Sequence, residues 1–388
     1  MTGEPAAVAE PVPLRVIAAQ WTRLGCIGFG GPPAHIALLR KLVVDDRAWL
    51  DPREFEDGVA VVNLLPGPAS TQLTIYCAWR LRGVAGALVG GAGFILPGLA
   101  VILTLSTVFL AEHPPGWVAG AALGAGAAVP AVAVAAALGL VPPSWRRAGT
   151  RAARARWIGY LLAGGAAAAL VGPFLVAVLI ACGLIEAVWR SAPRRPPAAP
   201  AVVVPLVAAG AGGLLSLAWL AFKVGALSFG GGFVIIPLMQ HDAVHTYHWM
   251  TAGQFLTAVA LGQVTPGPVV QTVAVVGFAA AGIGGGLLAS LVAFTPSFCF
   301  VLGLGRHFDR LRRNAAVQDF LTGAAPAAIG AIAGAAIPLV AGLAHLWQAG
   351  VLLFAAGWLI WLRRGVVPAI VGAAALGVLV YLAGGPVR

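Results

Sequence analysis

Long uncharged apolar stretches alternate with short polar loops along this chain. The stretches 84–110, 117–141, 202–222 and 284–304 contain no charged residue and reach the ~20 residues that cross a bilayer as a helix. None shows the period-two alternation of a membrane β-barrel. The pattern predicts an all-α polytopic membrane protein. Two kinds of helix breaker interrupt it. Phe29-Gly30-Gly31 is followed by Asn63-Leu64-Leu65-Pro66-Gly67-Pro68, and Phe229-Gly230-Gly231 by Gln263-Val264-Thr265-Pro266-Gly267-Pro268. Trp49 and Trp249, Phe55 and Phe255, Gly25 and Gly225, and Arg23 and Lys223 recur at the same offset of 200 residues. The chain is two copies of one unit, an N-terminal repeat (1–190) and a C-terminal repeat (201–388). They are joined by a Pro-rich linker, 191–200, expected on the cytoplasmic side.

Loop charges separate the two copies. After the first FGG element come Arg40, Lys41, Arg47 and Arg53, whereas 240–253 has no Lys or Arg. Arg80 and Arg82 likewise have no basic counterpart near 280–282. The next loop reverses the bias, with Glu112-His113-Pro114-Pro115 against Arg306, Arg310, Arg312 and Arg313. The loop after that reverses it again, with Arg146, Arg147, Arg151, Arg154 and Arg156 against none in 342–349. Short-loop Lys and Arg mark the cytoplasmic side, so equivalent loops face opposite sides. This is the inverted-topology repeat of many secondary transporters. Loops 40–53 and 80–82 share a side, so 55–79 must enter and return with Pro66-Gly67-Pro68 at its turn. It reads as a re-entrant hairpin, mirrored by 255–279. About 10–14 membrane segments result, depending on how hairpins are counted.

Composition agrees. Of 388 residues, 60% are hydrophobic and 10% charged, with mean hydropathy +0.92, against roughly 25% charged in a soluble domain. The net charge of +11 resides in arginine-rich loops, so no nucleic-acid partner is indicated. Cys26, Cys77, Cys182 and Cys299 are scattered and imply neither a disulfide framework nor a zinc site. With Glu4 and Glu10 before Arg15, the N-terminal segment does not read as a cleavable signal peptide.

Pro-Gly-Pro cannot continue a helix, and broken helices persist in a membrane only where protein or a water-filled cavity covers them. New helices should begin near Ala69 and Val269, where free N–H groups and a positive dipole end suit an anion. Asn63, Ser70, Thr71, Gln72 and Thr74 flank the first break, and Gln263, Thr265, Gln271 and Thr272 the second. A blander account makes each break a kink whose polar side chains bond back to helix carbonyls. Paired interruptions in corresponding positions favour a substrate site. Gly30, Gly31, Gly230 and Gly231 permit close approach. Arg23 and Lys223 either snorkel to the interface or supply the field that draws an anion inward. The expected substrate-binding set is therefore Arg23, Gly30, Gly31, Asn63, Pro66, Gly67, Pro68, Ser70, Thr71 and Gln72 in one repeat. In the other it is Lys223, Gly230, Gly231, Gln263, Thr265, Pro266, Gly267, Pro268, Gln271 and Thr272.

Carboxylates, which cation pumps place inside the membrane, are few here. There is no GxxxxGK[ST] loop and no nucleophile–base constellation, so an enzyme is not expected, nor a cofactor. His241, His245 and His248 with Asp242 have helical spacing that could hold a metal. An external polar loop explains them as well, and no metal is assigned. The acidic set around Asp51-Pro52-Arg53-Glu54 reads as a solvated loop capping the next helix. The small-residue runs 120–128 and 323–335 read as close helix contacts.

The stretches Leu24-Gly-Cys-Ile-Gly-Phe-Gly-Gly-Pro-Pro-Ala-His-Ile-Ala-Leu-Leu-Arg40, Asn63-Leu-Leu-Pro-Gly-Pro-Ala-Ser-Thr-Gln72 and Gly93-Phe-Ile-Leu-Pro-Gly98 resemble the chromate transporter (CHR) family in its two-domain, long-chain form. So do Phe222-Lys-Val-Gly-Ala-Leu-Ser-Phe-Gly-Gly-Gly232 and Gly262-Gln-Val-Thr-Pro-Gly-Pro268. The resemblance implies a multi-pass carrier of the bacterial plasma (inner) membrane. Such a carrier exports chromate on the proton-motive force, confers chromate resistance and takes sulfate as a competitor. The partners it implies are chromate or sulfate, the lipid bilayer and a second copy in a homodimer. Ala69 departs from the pattern, which places a polar residue after Pro-Gly-Pro, and this bears on affinity or substrate choice. Another oxyanion as substrate and a passive anion channel are the alternative readings.

Overall fold

Every described element is helical, and no strand occurs among the described residues. The computed structural model describes residues 12–63, 65–171, 175–191, 213–228, 234–304 and 314–387. The expected positions Gly230 and Gly231, the linker beyond Ser191 and the arginines at 306–313 lie outside them. The first repeat comprises α1 (Leu14–Ile27), α2 (Pro32–Arg40), α3 (Pro52–Val62), α4 (Ala69–Phe109), α5 (Gly116–Arg147), α6 (Arg151–Ala166) and α7 (Leu175–Ser191). The second comprises α8 (Leu214–Leu227), α9 (Ile236–Gln240), α10 (Ala252–Val264), α11 (Thr272–Leu304), α12 (Ala315–Gly334), α13 (Ala336–Ala341), α14 (Leu346–Ala356) and α15 (Val366–Leu382). Four stretches (69–109, 116–147, 269–303 and 315–341) are long and apolar enough to cross a membrane, and four shorter apolar helices accompany them. The chain is thus an all-α polytopic membrane protein.

The two copies share unusual backbone features. A π turn follows α2 at Lys41–Asp46 and α9 at His241–Thr246. Two residues beyond each comes a non-glycine residue of positive φ, Ala48 at 47° and His248 at 53°. The Trp49 amide donates to the Val43 carbonyl at 2.8 Å, and that of Trp249 to Ala243 at 2.9 Å. Both long helices break once, α4 at Arg82-Gly83 and α11 at Ala281-Gly282. These breaks are 199 residues apart rather than 200, because the second copy has one residue fewer after Pro-Gly-Pro. The backbone absorbs the deletion by winding Val269–Gln271 as a 3-10 turn, where the first copy starts an α-helix at Ala69. Three residues at ~2.0 Å rise cover the same ~6 Å as four at ~1.5 Å. Gln271 therefore stands at the depth of Gln72.

The copies interlock. Helices α6 and α7 of the first repeat pack on α12 of the second, while α14 and α15 of the second pack on α5 of the first. The small-residue runs make this possible. A Cβ on Gly124 would collide with the Ala373 carbonyl, and one on Gly330 with that of Leu161. Between these crossed pairs, α4 packs against α11, with α1 on α4 and α8 on α11. The breakers lie at this centre.

Candidate functional site

Each Pro-Gly-Pro turn rests on the opposite repeat. Gly67 has φ +117°, and a Cβ on it would lie 3.2 Å from the Gly225 carbonyl oxygen in α8. Gly267 has φ +90°, and its amide donates to the Gly28 carbonyl at the end of α1, at 2.9 Å. Gly31, with φ +75°, faces Val269 at the start of the second new helix. A Cβ on Gly98 in α4 would collide with the Pro266 carbonyl. Each turn thus meets the helix that precedes the other copy's FGG element, and the second turn also meets α4. Positive φ with a neighbouring backbone at van der Waals distance is a combination that favours glycine.

Two glutamines hold these turns. Gln72 donates its Nε2 to the Pro66 carbonyl at 2.6 Å, and Gln271 donates its Nε2 to the Ile95 carbonyl of the other repeat at 2.6 Å. Both are fully buried. A carbonyl can only accept, so these bonds fix each amide with its Oε1 turned away, and neither Oε1 has a partner. Thr71 Oγ1 and Gln263 Nε2 are also buried and unpaired. A buried polar atom without a partner is costly, and each such group calls for a partner such as water, an ion or a substrate.

Other expected residues are occupied. Asn63 donates to Val59 at 2.8 Å, Thr74 to Ser70 at 2.7 Å, Thr265 to Leu261 at 2.9 Å and Thr272 to Val269 at 2.9 Å. The blander account describes these four well, for their hydroxyl or amide protons serve local carbonyls. The two cations are not brought to the turns. Arg23 is exposed. Lys223 forms an ion pair with Asp242, in the π turn after α9. Among the described residues no group of three His, Cys, Asp or Glu side chains could hold a metal.

Sequence reasoning missed three polar residues here. His35, buried against Phe94, places Nε2 2.9 Å from the Gly28 carbonyl and Nδ1 3.3 Å from Ser70 Oγ. The carbonyl requires a proton on Nε2, so a neutral His35 accepts the Ser70 hydroxyl at Nδ1. His35 thereby ties α2, α4 and the end of α1 to the carbonyl that receives Gly267. Its signal was its place four residues after Gly31. Ser228 and Ser297 are buried hydroxyls without a partner, at the positions equivalent to Gly28 and Gly98. Each differs from its counterpart, so the repeat pattern gave no cue.

A family model described as "Chromate transporter" matches residues 16–189 and again 215–378. The chromate transport protein of Pseudomonas aeruginosa is 31% identical, over 90% of this chain and 88% of its own. The chromate transport protein of Cupriavidus metallidurans is 30% identical, over 84% and 82%. A probable chromate transport protein of Synechococcus elongatus is 28% identical, over 84% of each. No solved structure matches the chain.

Proposed function

The chain belongs to the chromate transporter family, and we propose that it carries chromate out of the cell across the bacterial plasma membrane. One observation carries the reading: each Pro-Gly-Pro turn, at the start of a buried helix, rests on the opposite repeat, and buried polar groups without a partner accompany both starts. A tetrahedral oxyanion fits the donors there. These are the first-turn N–H groups of α4 and of the 3-10 turn, Thr71 Oγ1, Gln263 Nε2, Ser228 and Ser297. Gln72 and Gln271 position the turns and offer their second N–H. Asn63, Ser70, Thr265 and Thr272 shape the walls. Arg23 and Lys223 act through their field at longer range. The repeats lie inverted in the bilayer and rock to open the centre to either side.

The proton-motive force supplies the energy. A charge crossing 100 mV gains about 2.3 kcal/mol, so export of an anion from a negative-inside cell is downhill in the potential. Sulfate, of the same shape and charge, competes, and a homodimer is the assembly we propose. Uptake of labelled chromate into inverted vesicles tests the reading. Accumulation against a gradient, abolished by an uncoupler and reduced by sulfate, is expected. Equilibration without accumulation indicates a passive pore, and no chromate or sulfate flux under any gradient removes the proposal.

A further inference from the structure

We propose that Asp242 is the proton-loading residue of this carrier, and that its protonation releases the Lys223 charge to attract the oxyanion. The proposal rests on the oxyanion reading above. Lys223 and Asp242 form an ion pair with side-chain exposures of only 19% and 8%, and the Trp219 ring lies 6.0 Å from the ammonium. A shielded ion pair is costly to build, so its presence calls for a reason beyond the fold.

The fold does not require the pair. The first repeat has Arg23 and Leu42 at these positions, and its Arg23 is exposed. It nevertheless forms the same π turn, the same positive φ and the same tryptophan amide bond. The pair is an addition to one copy of a backbone that folds without it. Its placement connects it to the centre, because two residues beyond Lys223 the Gly225 carbonyl lies against the first Pro-Gly-Pro turn.

The π turn also offers a route for protons. His241 is half-buried and His245 exposed, with ring centroids 5.8 Å apart. The charged and titratable groups around Asp242 are Lys223 on α8, His241 and His245 on the turn itself, and Tyr247 just after it. Helices α9 and α10, which pack on the turn, carry no titratable side chain. A proton from water passes over His245 and His241 to an Asp242 carboxylate oxygen, where an O–H bond forms. Lys223 stays an ammonium and loses its counter-charge, and the oxyanion at the centre replaces it. When the anion leaves, the proton returns to water and the pair re-forms. Linkage makes the coupling reciprocal: anion binding must raise proton binding by the same factor as the reverse.

Proton uptake by the purified full-length protein tests this. In weakly buffered alkaline solution, where chromate carries no proton of its own, wild type should take up protons as chromate binds. Asp242→Asn should bind chromate with unchanged or higher affinity, without uptake and independently of pH. If that variant does not fold, the double variant Lys223→Met/Asp242→Leu carries the test: at chromate concentrations raised until it binds, it should bind without proton uptake. Its leucine reproduces the apolar residue that the first repeat has at the position of Asp242. Chromate binding by wild type without proton uptake overturns the proposal and leaves the carrier reading intact. Uptake that persists in either variant does the same. Failure of wild type to bind or move chromate removes the carrier reading itself.

Discussion

Gln72 and Gln271 share depth, burial and an unpaired oxygen, yet they hold different things. Gln72 closes its own turn, whereas Gln271 reaches across to α4. A hydrogen bond to a charged group contributes about 1.5–3 kcal/mol, so Gln72→Leu and Gln271→Leu should each raise the chromate KM about tenfold or more in vesicle uptake. Gln271→Leu should also lower the Tm of the purified protein, because it severs a bond between repeats. Gly67→Ala combines a strained φ, at about 1–3 kcal/mol, with a Cβ pressed on the Gln72 amide. It should abolish transport. Gly83→Ala, also at positive φ but with open space around its would-be Cβ, should keep most of it. Equal loss in both would mean that backbone strain alone, and not the centre, governs activity. Much at this scale was legible beforehand. Proline and glycine announce a broken helix from local sterics alone. Whether a threonine serves its own helix carbonyl, as Thr74 and Thr272 do, or stays free, as Thr71 does, depends on side-chain direction within one turn. Sequence does not carry that.

Among the elements, the helix starts followed their caps. Asp51 accepts from the Arg53 amide at 2.8 Å ahead of α3, where Asp-Pro predicted an N-terminus. Thr251 and Gln254 form a full capping box at α10. The π turns had no sequence signature, since they arise only once the chain after α2 and α9 must place Trp49 and Trp249. The small-residue faces of α5 and α12 were read as contacts, but their partners were not. Gly124→Leu would drive a side chain into the Ala373 backbone, an overpacking that costs about 1–3 kcal/mol. A lower Tm and reduced membrane yield are expected. Gly139→Leu, on the same helix with open space, should change neither.

At the scale of the molecule, the crossing of α6 and α7 onto α12, and of α14 and α15 onto α5, makes each repeat incomplete alone. Residues 1–191 and 213–388 expressed separately should be degraded or aggregate, and co-expression should restore chromate flux at least in part. A stable, folded single repeat would count against the interlock. The inverted arrangement has its own test. In a background without native cysteines, single cysteines at Arg47 and His248, in equivalent loops, should react with an impermeant thiol reagent from opposite sides of the membrane. Labelling from one side only would refute the inversion.

Sequence alone determined that this is a helical membrane protein, that its unit is duplicated, and where its helices break. These properties follow from transfer free energies and backbone sterics, which act within a few residues. Tertiary structure alone decided that each Pro-Gly-Pro turn rests on the other repeat, that Lys223 is claimed by Asp242, and that His35 joins the centre. Those outcomes depend on which apolar faces find each other, and small residues that permit close contact do not say with whom.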